Sequence, residues 1–181
     1  MSDTDLRWLE GCLWARSVQY CMPEAYKSSA VGDPSKQENK LAILTDIDSI
    51  KSVLSKAKVV AVLGAHKDTT RPSHFVPAYL AENGYEVVPV NSQFEGEDLF
   101  GKSVATSLAM IGRPVDVVDV FRRSEALPGH LSEILSMQPR PKVVWFQKGI
   151  RNDEVAEQLS NAGIDVVQGR CMLEDHKDFG L

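Results

Sequence analysis

Val59-Val60-Ala61-Val62-Leu63-Gly64-Ala65-His66-Lys67-Asp68-Thr69-Thr70-Arg71-Pro72-Ser73 is the stretch that decides the architecture. Its valine-rich run is continuous rather than alternating, as in a strand covered on both faces. Gly64 ends the run, and a polar loop carrying Lys67 and Arg71 follows. Pro72 stands where a helix starts, a place at which its missing N–H costs nothing. A strand, a turn and a helix N-terminus in this order aim free backbone N–H groups and the positive end of a helix dipole at one spot, which suits phosphate.

Outward from this stretch the pattern is regular. Ile47, Ile50, Val53 and Leu54 share one helical face upstream, with Asp46 or Asp48 suited to open the helix. Downstream, a helix from about Ser73 to Glu82 should stop at Asn83-Gly84. Tyr85–Asn91, Val115–Phe121, Lys142–Gln147 and Ile164–Val167 read as the second to fifth strands, with Pro128–Met137 and Asp153–Ala162 as helices between the later ones. Strands alternating with helices imply parallel pairing and right-handed crossovers. The expected fold is therefore α/β: a single Rossmann-type sheet of about five parallel strands, order 3-2-1-4-5, with helices on both faces. Residues 41–181 form this domain in the reading, and residues 1–40 an N-terminal helical arm and linker. In the arm Leu6, Trp8, Leu9, Leu13, Trp14, Val18 and Tyr20 recur at helical spacing, although Gly11 weakens the helix. Trp8 and Trp14 either pack on the main domain or dock a protein partner or a second copy, as in a homo-oligomer.

The totals exclude several classes. With 43% apolar and 25% charged residues the chain reads as ordinary globular protein. A net charge of −5 argues against nucleic acid as a partner. No apolar run is long enough for a membrane span, and the acidic start Met1-Ser2-Asp3-Thr4-Asp5 is unlike a secretory signal. Cys12, Cys21 and Cys171 form neither a metal pair nor a disulfide framework. A cytoplasmic location and no metal are the expectations.

Ligands of such sheets bind beyond the carboxyl ends of the strands, where the strand order reverses. In the order 3-2-1-4-5 that crevice lies between the first and fourth strands. The loops Gly64–Arg71, Asn91–Gly96, Phe121–Arg123 and Gln147–Arg151 converge there, bringing Lys67, Arg71, Arg122, Arg123, Lys148 and Arg151. Such a concentration of cations in an acidic chain suits a ligand with several phosphates. The first loop is neither G-x-G-x-x-G nor G-x-x-x-x-G-K-[ST], so phosphoryl transfer on a nucleoside triphosphate has no support. The second strand ends Pro89-Val90-Asn91, where an NAD site carries an acid for the ribose 2′-hydroxyl. A phosphorylated ribose fits better.

Taken together, Gly64 through Ser73, Tyr79-Leu80, Gly84-Tyr85, Pro89-Val90-Asn91, Val115 through Arg122, Trp145 through Ile150 and Gly169-Arg170-Cys171 resemble the small single-domain CoA-binding proteins. These are relatives of the CoA-binding domain in the succinyl-CoA synthetase α-subunit, and the resemblance runs from Ile47 to Glu174. It implies coenzyme A as cofactor, with the phosphorylated adenosine end over Gly64, Ala65, His66 and Lys67 and with Arg71 near. It implies Pro89, Val90 and Asn91 beside the adenosine. The pantetheine arm would run past Val120, Phe121 and Arg122 toward Phe146, Gln147 and Lys148. The chain departs from the family at His66, where a small residue is usual, at Phe146 and Lys148, and at Gly169, where an Asp usually precedes Arg-Cys.

No residues assemble into a catalytic set. His66, His74 and Cys171 have no zinc-ligand spacing, and His130 and His176 read as surface residues. Cys171 reads as a small buried side chain, with mixed-disulfide formation toward the CoA thiol, favoured by Arg170, as the sharper alternative. The functional expectation is a CoA or acyl-CoA binding protein without an identifiable catalytic centre. The alternative is an NAD(P)-dependent oxidoreductase or nucleotide sensor using the same crevice.

Overall fold

The computed structural model describes residues 43–181. The expected arm, its tryptophans and the boundary near residue 40 lie outside the described residues. The described elements run α1 (Ile47–Lys56), β1 (Val59–Leu63), α2 (Pro72–Glu82), β2 (Glu86–Val90), β3 (Asp98–Leu99), β4 (Lys102–Ser103), β5 (Val117–Val120), α3 (Leu127–Ser136), β6 (Val143–Phe146), α4 (Asp153–Asn161), β7 (Asp165–Gln168) and α5 (Met172–Asp178).

Local chemistry sets the boundaries. Asp46 caps α1 by accepting the Ser49 N–H at 2.8 Å. Pro72 opens α2, and Gly84, at φ +89°, ends its approach to β2. Asn152 caps α4 through the Val155 N–H. Alternation along β1 sends Val60 and Val62 into one apolar layer and Ala61 and Leu63 into the other. The first layer contains Ile50 of α1, Leu80 of α2, Trp145 of β6 and Met172 of α5. The second contains Leu127 and Ile134 of α3, Phe146 of β6 and Leu159 of α4. Each large apolar side chain so buried stabilises the fold by about 1.5–3 kcal/mol.

The five strands form one parallel sheet in the order β2-β1-β5-β6-β7. The expected class is therefore present, but the strand order needs correcting. Numbered as the sequence predicts them, the strands run 2-1-3-4-5, not 3-2-1-4-5. The third predicted strand, β5, pairs directly with β1, aligning Val60 with Val117 and Leu63 with Val120. Two contacts explain the difference. The outer edge of β2 is taken by the Ala105 segment, which donates to Pro89 O and accepts from Asn91 N at 2.9 Å each. Asp116, just ahead of β5, accepts the N–H groups of Lys58 and Val59 at 2.9 and 3.0 Å, pinning β5 beside β1. The chain between β2 and β5 also holds the small antiparallel β3–β4 pair, which the alternation of strands and helices did not foretell.

Candidate functional site

The reversal of strand order now falls between β1 and β5, so the crevice opens above their carboxyl ends. Gly64 leaves β1 at φ +96°, where a Cβ atom would stand 2.7 Å from Phe121 O and 3.3 Å from Arg122 Nε. Only glycine lets the first loop pass this close to the end of β5. Phe121 N donates to Leu63 O and Gly64 N to Val90 O, both at 2.9 Å, so three strand ends are tied at one corner.

The loop that follows is largely satisfied by its own groups. Asn91, 3% exposed, donates its Nδ2 to Ala65 O at 2.8 Å, and its Oδ1 accepts from Gln93 N at 3.1 Å. His66 accepts the Asp68 N–H on Nδ1 at 2.9 Å, and its ring meets Phe94 edge-on at 5.0 Å. Its carbonyl binds His74 Nδ1 at 2.8 Å. Asp68 accepts from Thr70 N and Oγ1 at 3.0 and 2.7 Å, and these bonds hold its carboxyl below the usual aspartate range.

Beyond this corner lies a cleft of about 850 Å³. Phe75 and Val76 of α2, Phe121, Ile150 and Leu173 supply apolar wall, with Gln147 and Cys171 among the polar lining. Arg71, Arg122, Arg123 and Lys148 line it together with Glu125 and Glu174. The first turn of α2, Pro72 and Ser73, lines the same cleft, and no side chain caps that helix.

The expected site residues divide. Arg71, Phe121, Arg122, Gln147 and Lys148 line the cleft together. Gly64, Ala65, His66 and Asn91 build the loop at its edge. Pro89 and Val90, and likewise Val120 and Phe146, are buried in strands, with Val120 and Phe146 0% exposed, so their side chains are taken by the core. Lys67 turns to Glu97 at 3.1 Å and lies 5.1 Å over the Phe94 ring.

The cations differ in their commitments. Arg71 pairs with Asp68 at 3.3 Å and Arg151 with Asp153 at 2.9 Å. Lys148 binds both oxygens of Glu174 at 3.0 and 2.9 Å, and that carboxylate holds its ammonium above the usual lysine range. Arg122 pairs with no carboxylate among the described residues. Its Nη2 makes a long 3.4 Å contact to Asn91 Oδ1, and its Nε is buried without an acceptor. The Arg122 guanidinium thus lines the cleft short of acceptors and beside an obligatory glycine.

Sequence reasoning passed over Asp119, which is 0% exposed in mid-sheet and accepts from Gln147 Nε2 at 2.8 Å. Its sole sequence signal was an acid inside an apolar strand. His176 is a correction of another kind: expected at the surface, it is 3% exposed and bonds Tyr79 Oη at 3.0 Å. The unforeseen helix α5 carries it inward. Cys171 lines the cleft half-buried, but burial pushes its thiol pKa up, and Arg170 is spent on Asp175 at 2.7 and 2.6 Å. The cation expected to favour its thiolate is thus committed elsewhere.

The parallel sheet, its glycine-bounded first loop and the cleft at the strand-order reversal define a Rossmann-type domain. More narrowly, the chain belongs to the CoA binding domain family, whose model matches residues 58–177. It is similar to YneT of Bacillus subtilis (strain 168), described as an uncharacterized protein, with 36% identity over 127 residues covering 70% of this chain and 91% of the relative. A Thermus thermophilus structure, cell-free ID.343, shares 48% identity at a TM-score of 0.71, covering 75% of this chain and 99% of that one. A hypothetical protein from Pyrococcus horikoshii OT3 shares 29% identity at a TM-score of 0.70, covering 76% and 94%. No helix among the described residues is long and apolar enough to cross a membrane.

Proposed function

We propose that the protein binds coenzyme A or an acyl-CoA in the crevice above β1 and β5, as a binding module without a catalytic centre of its own. The observation that carries this reading is Arg122, a cleft-lining guanidinium whose Nε lacks an acceptor, while Glu174, a carboxylate lining the same cleft, is bound to Lys148. The residues suit the cofactor: Gly64 brings the first loop against the end of β5 and Arg122, and the uncapped start of α2 adds its dipole. The apolar wall of Phe75, Phe121, Ile150 and Leu173 suits the pantetheine arm. In this reading Arg122 belongs with the phosphates rather than along the arm, because it stands beside Gly64 and Asn91. Asn91 supports the loop from beneath, and Arg71 and Lys148 exchange their carboxylates for ligand when it arrives.

An NAD(P)-dependent oxidoreductase is the rival from a different class, since a fold does not choose its chemistry. Asn91 at the end of β2 disfavours NAD, and the cations leave NADP open. Calorimetric titration of the full chain with CoA, NADH and NADPH separates the readings. Saturable binding of CoA, with at least about tenfold weaker binding of both nicotinamide cofactors, is expected. Tighter binding of NADPH than of CoA would overturn the proposal.

A further inference from the structure

Beneath the cleft floor sits a polar pair in an apolar layer. Asp119 lies on β5 between Val62 of β1 and Trp145 of β6, and all three are 0% exposed. One carboxyl oxygen accepts from Gln147 Nε2 at 2.8 Å, and the other, Oδ2, has no partner. Gln147 is 4% exposed and lines the cleft, so the pair connects the core to the ligand space. A carboxyl group with an unmatched oxygen in such a place is unfavourable for folding, and an apolar residue of the same size would avoid the penalty. What the pair achieves is orientation. A glutamine amide turns freely unless one end is held, and here the nitrogen is held inward. The carboxamide oxygen is left toward the cleft with no partner among the described residues.

From this geometry we infer that Asp119 is a positioning residue, which fixes Gln147 so that its carboxamide oxygen accepts an amide N–H from the ligand's arm. The inference rests on the CoA reading and deepens it, because the pantetheine arm carries amide N–H groups and the phosphorylated adenosine end does not. Asp119 touches no ligand itself. Burial pushes its carboxyl pKa up to about 8, which favours the neutral form beneath an anionic ligand.

The test compares CoA with adenosine 3′,5′-bisphosphate, which lacks the arm, in the full chain at pH 7. Asp119→Leu is expected to weaken CoA about three- to tenfold, the worth of one hydrogen bond, and to leave the bisphosphate unchanged. Its melting temperature should not fall below that of the parent. Asp119→Asn rescues CoA binding to within about twofold, since its carboxamide oxygen still accepts from Gln147. Gln147→Leu gives the same selective loss and stands in if Asp119→Leu does not fold. Equal losses for both ligands, or none for CoA, would overturn the positioning role. A parent protein that binds neither ligand removes the CoA reading and this inference with it; a parent that binds CoA beside an unaffected Asp119→Leu removes the inference alone.

Discussion

Asp116 and Asp119 lie three residues apart at opposite ends of β5, and the protein treats them in opposite ways. Asp116, at the amino end, accepts from the N–H groups of Lys58 and Val59 and from Lys142 Nζ at 2.7 Å. Asp119, toward the carboxyl end, accepts from one carboxamide and leaves an oxygen unmatched. The first is a fastener between strand starts. The second, like the Arg122 Nε nearby, is a polar group the fold leaves short of partners. Two of the three buried side-chain polar atoms without a partner among the described residues, Asp119 Oδ2 and Arg122 Nε, thus lie toward the carboxyl end of β5, where open α/β sheets take their ligands. The third is Ser160 Oγ on α4.

The largest expected effect comes from breaking the carboxyl end outright. Gly64→Ala forces a side chain into a positive-φ position and within 2.7 Å of Phe121 O. The expected cost is about 2–4 kcal/mol in urea unfolding together with loss of CoA binding. An unchanged midpoint would mean that the corner is slack. At the other end, Asp116→Ala should cost about 1–3 kcal/mol by stranding the Lys58 and Val59 N–H groups, while CoA affinity stays the same. A selective loss of affinity there would erase the contrast between the two ends.

A smaller effect sharpens the comparison. Burial raises the folded Asp119 carboxyl to about 8, from near 3.9 in an unfolded chain. The folded state therefore holds more protons than the unfolded state between these values. The contribution of Asp119 to stability falls as pH rises through that window, by up to about 1.4 kcal/mol per unit, and levels off above it. Asp119→Asn should remove this component, so its advantage over the parent grows from pH 5 to pH 8 in urea midpoints. Parallel profiles would show that Asp119 ionises without penalty.

Much of the fold was legible because strands and helices here follow hydrophobic period and simple caps: Asp46, Pro72, Gly84 and Asn152 stand where they are needed. Strand order was not legible, because it depends on contacts distant in sequence. The Ala105 segment on β2 and the Asp116 carboxylate on β1 decide it, and neither leaves a periodic trace. Helix α5 escaped notice as a short, charge-rich stretch whose burial rests on Met172 and His176. For the site, composition marked the right loops but could not rank their cations. Ranking depends on which carboxylate each side chain reaches, and only Arg122, among those weighed in the site, has its Nε left buried without an acceptor.

Arg122→Ala offers the most direct measurement. Calorimetric titration with CoA should show affinity falling at least tenfold relative to the parent, on the order of 1.4 kcal/mol or more, with the melting temperature preserved because the one acceptor it reaches, Asn91 Oδ1, keeps the Gln93 N–H. Undiminished CoA affinity in that variant would contradict the claim that this guanidinium awaits the ligand's phosphates.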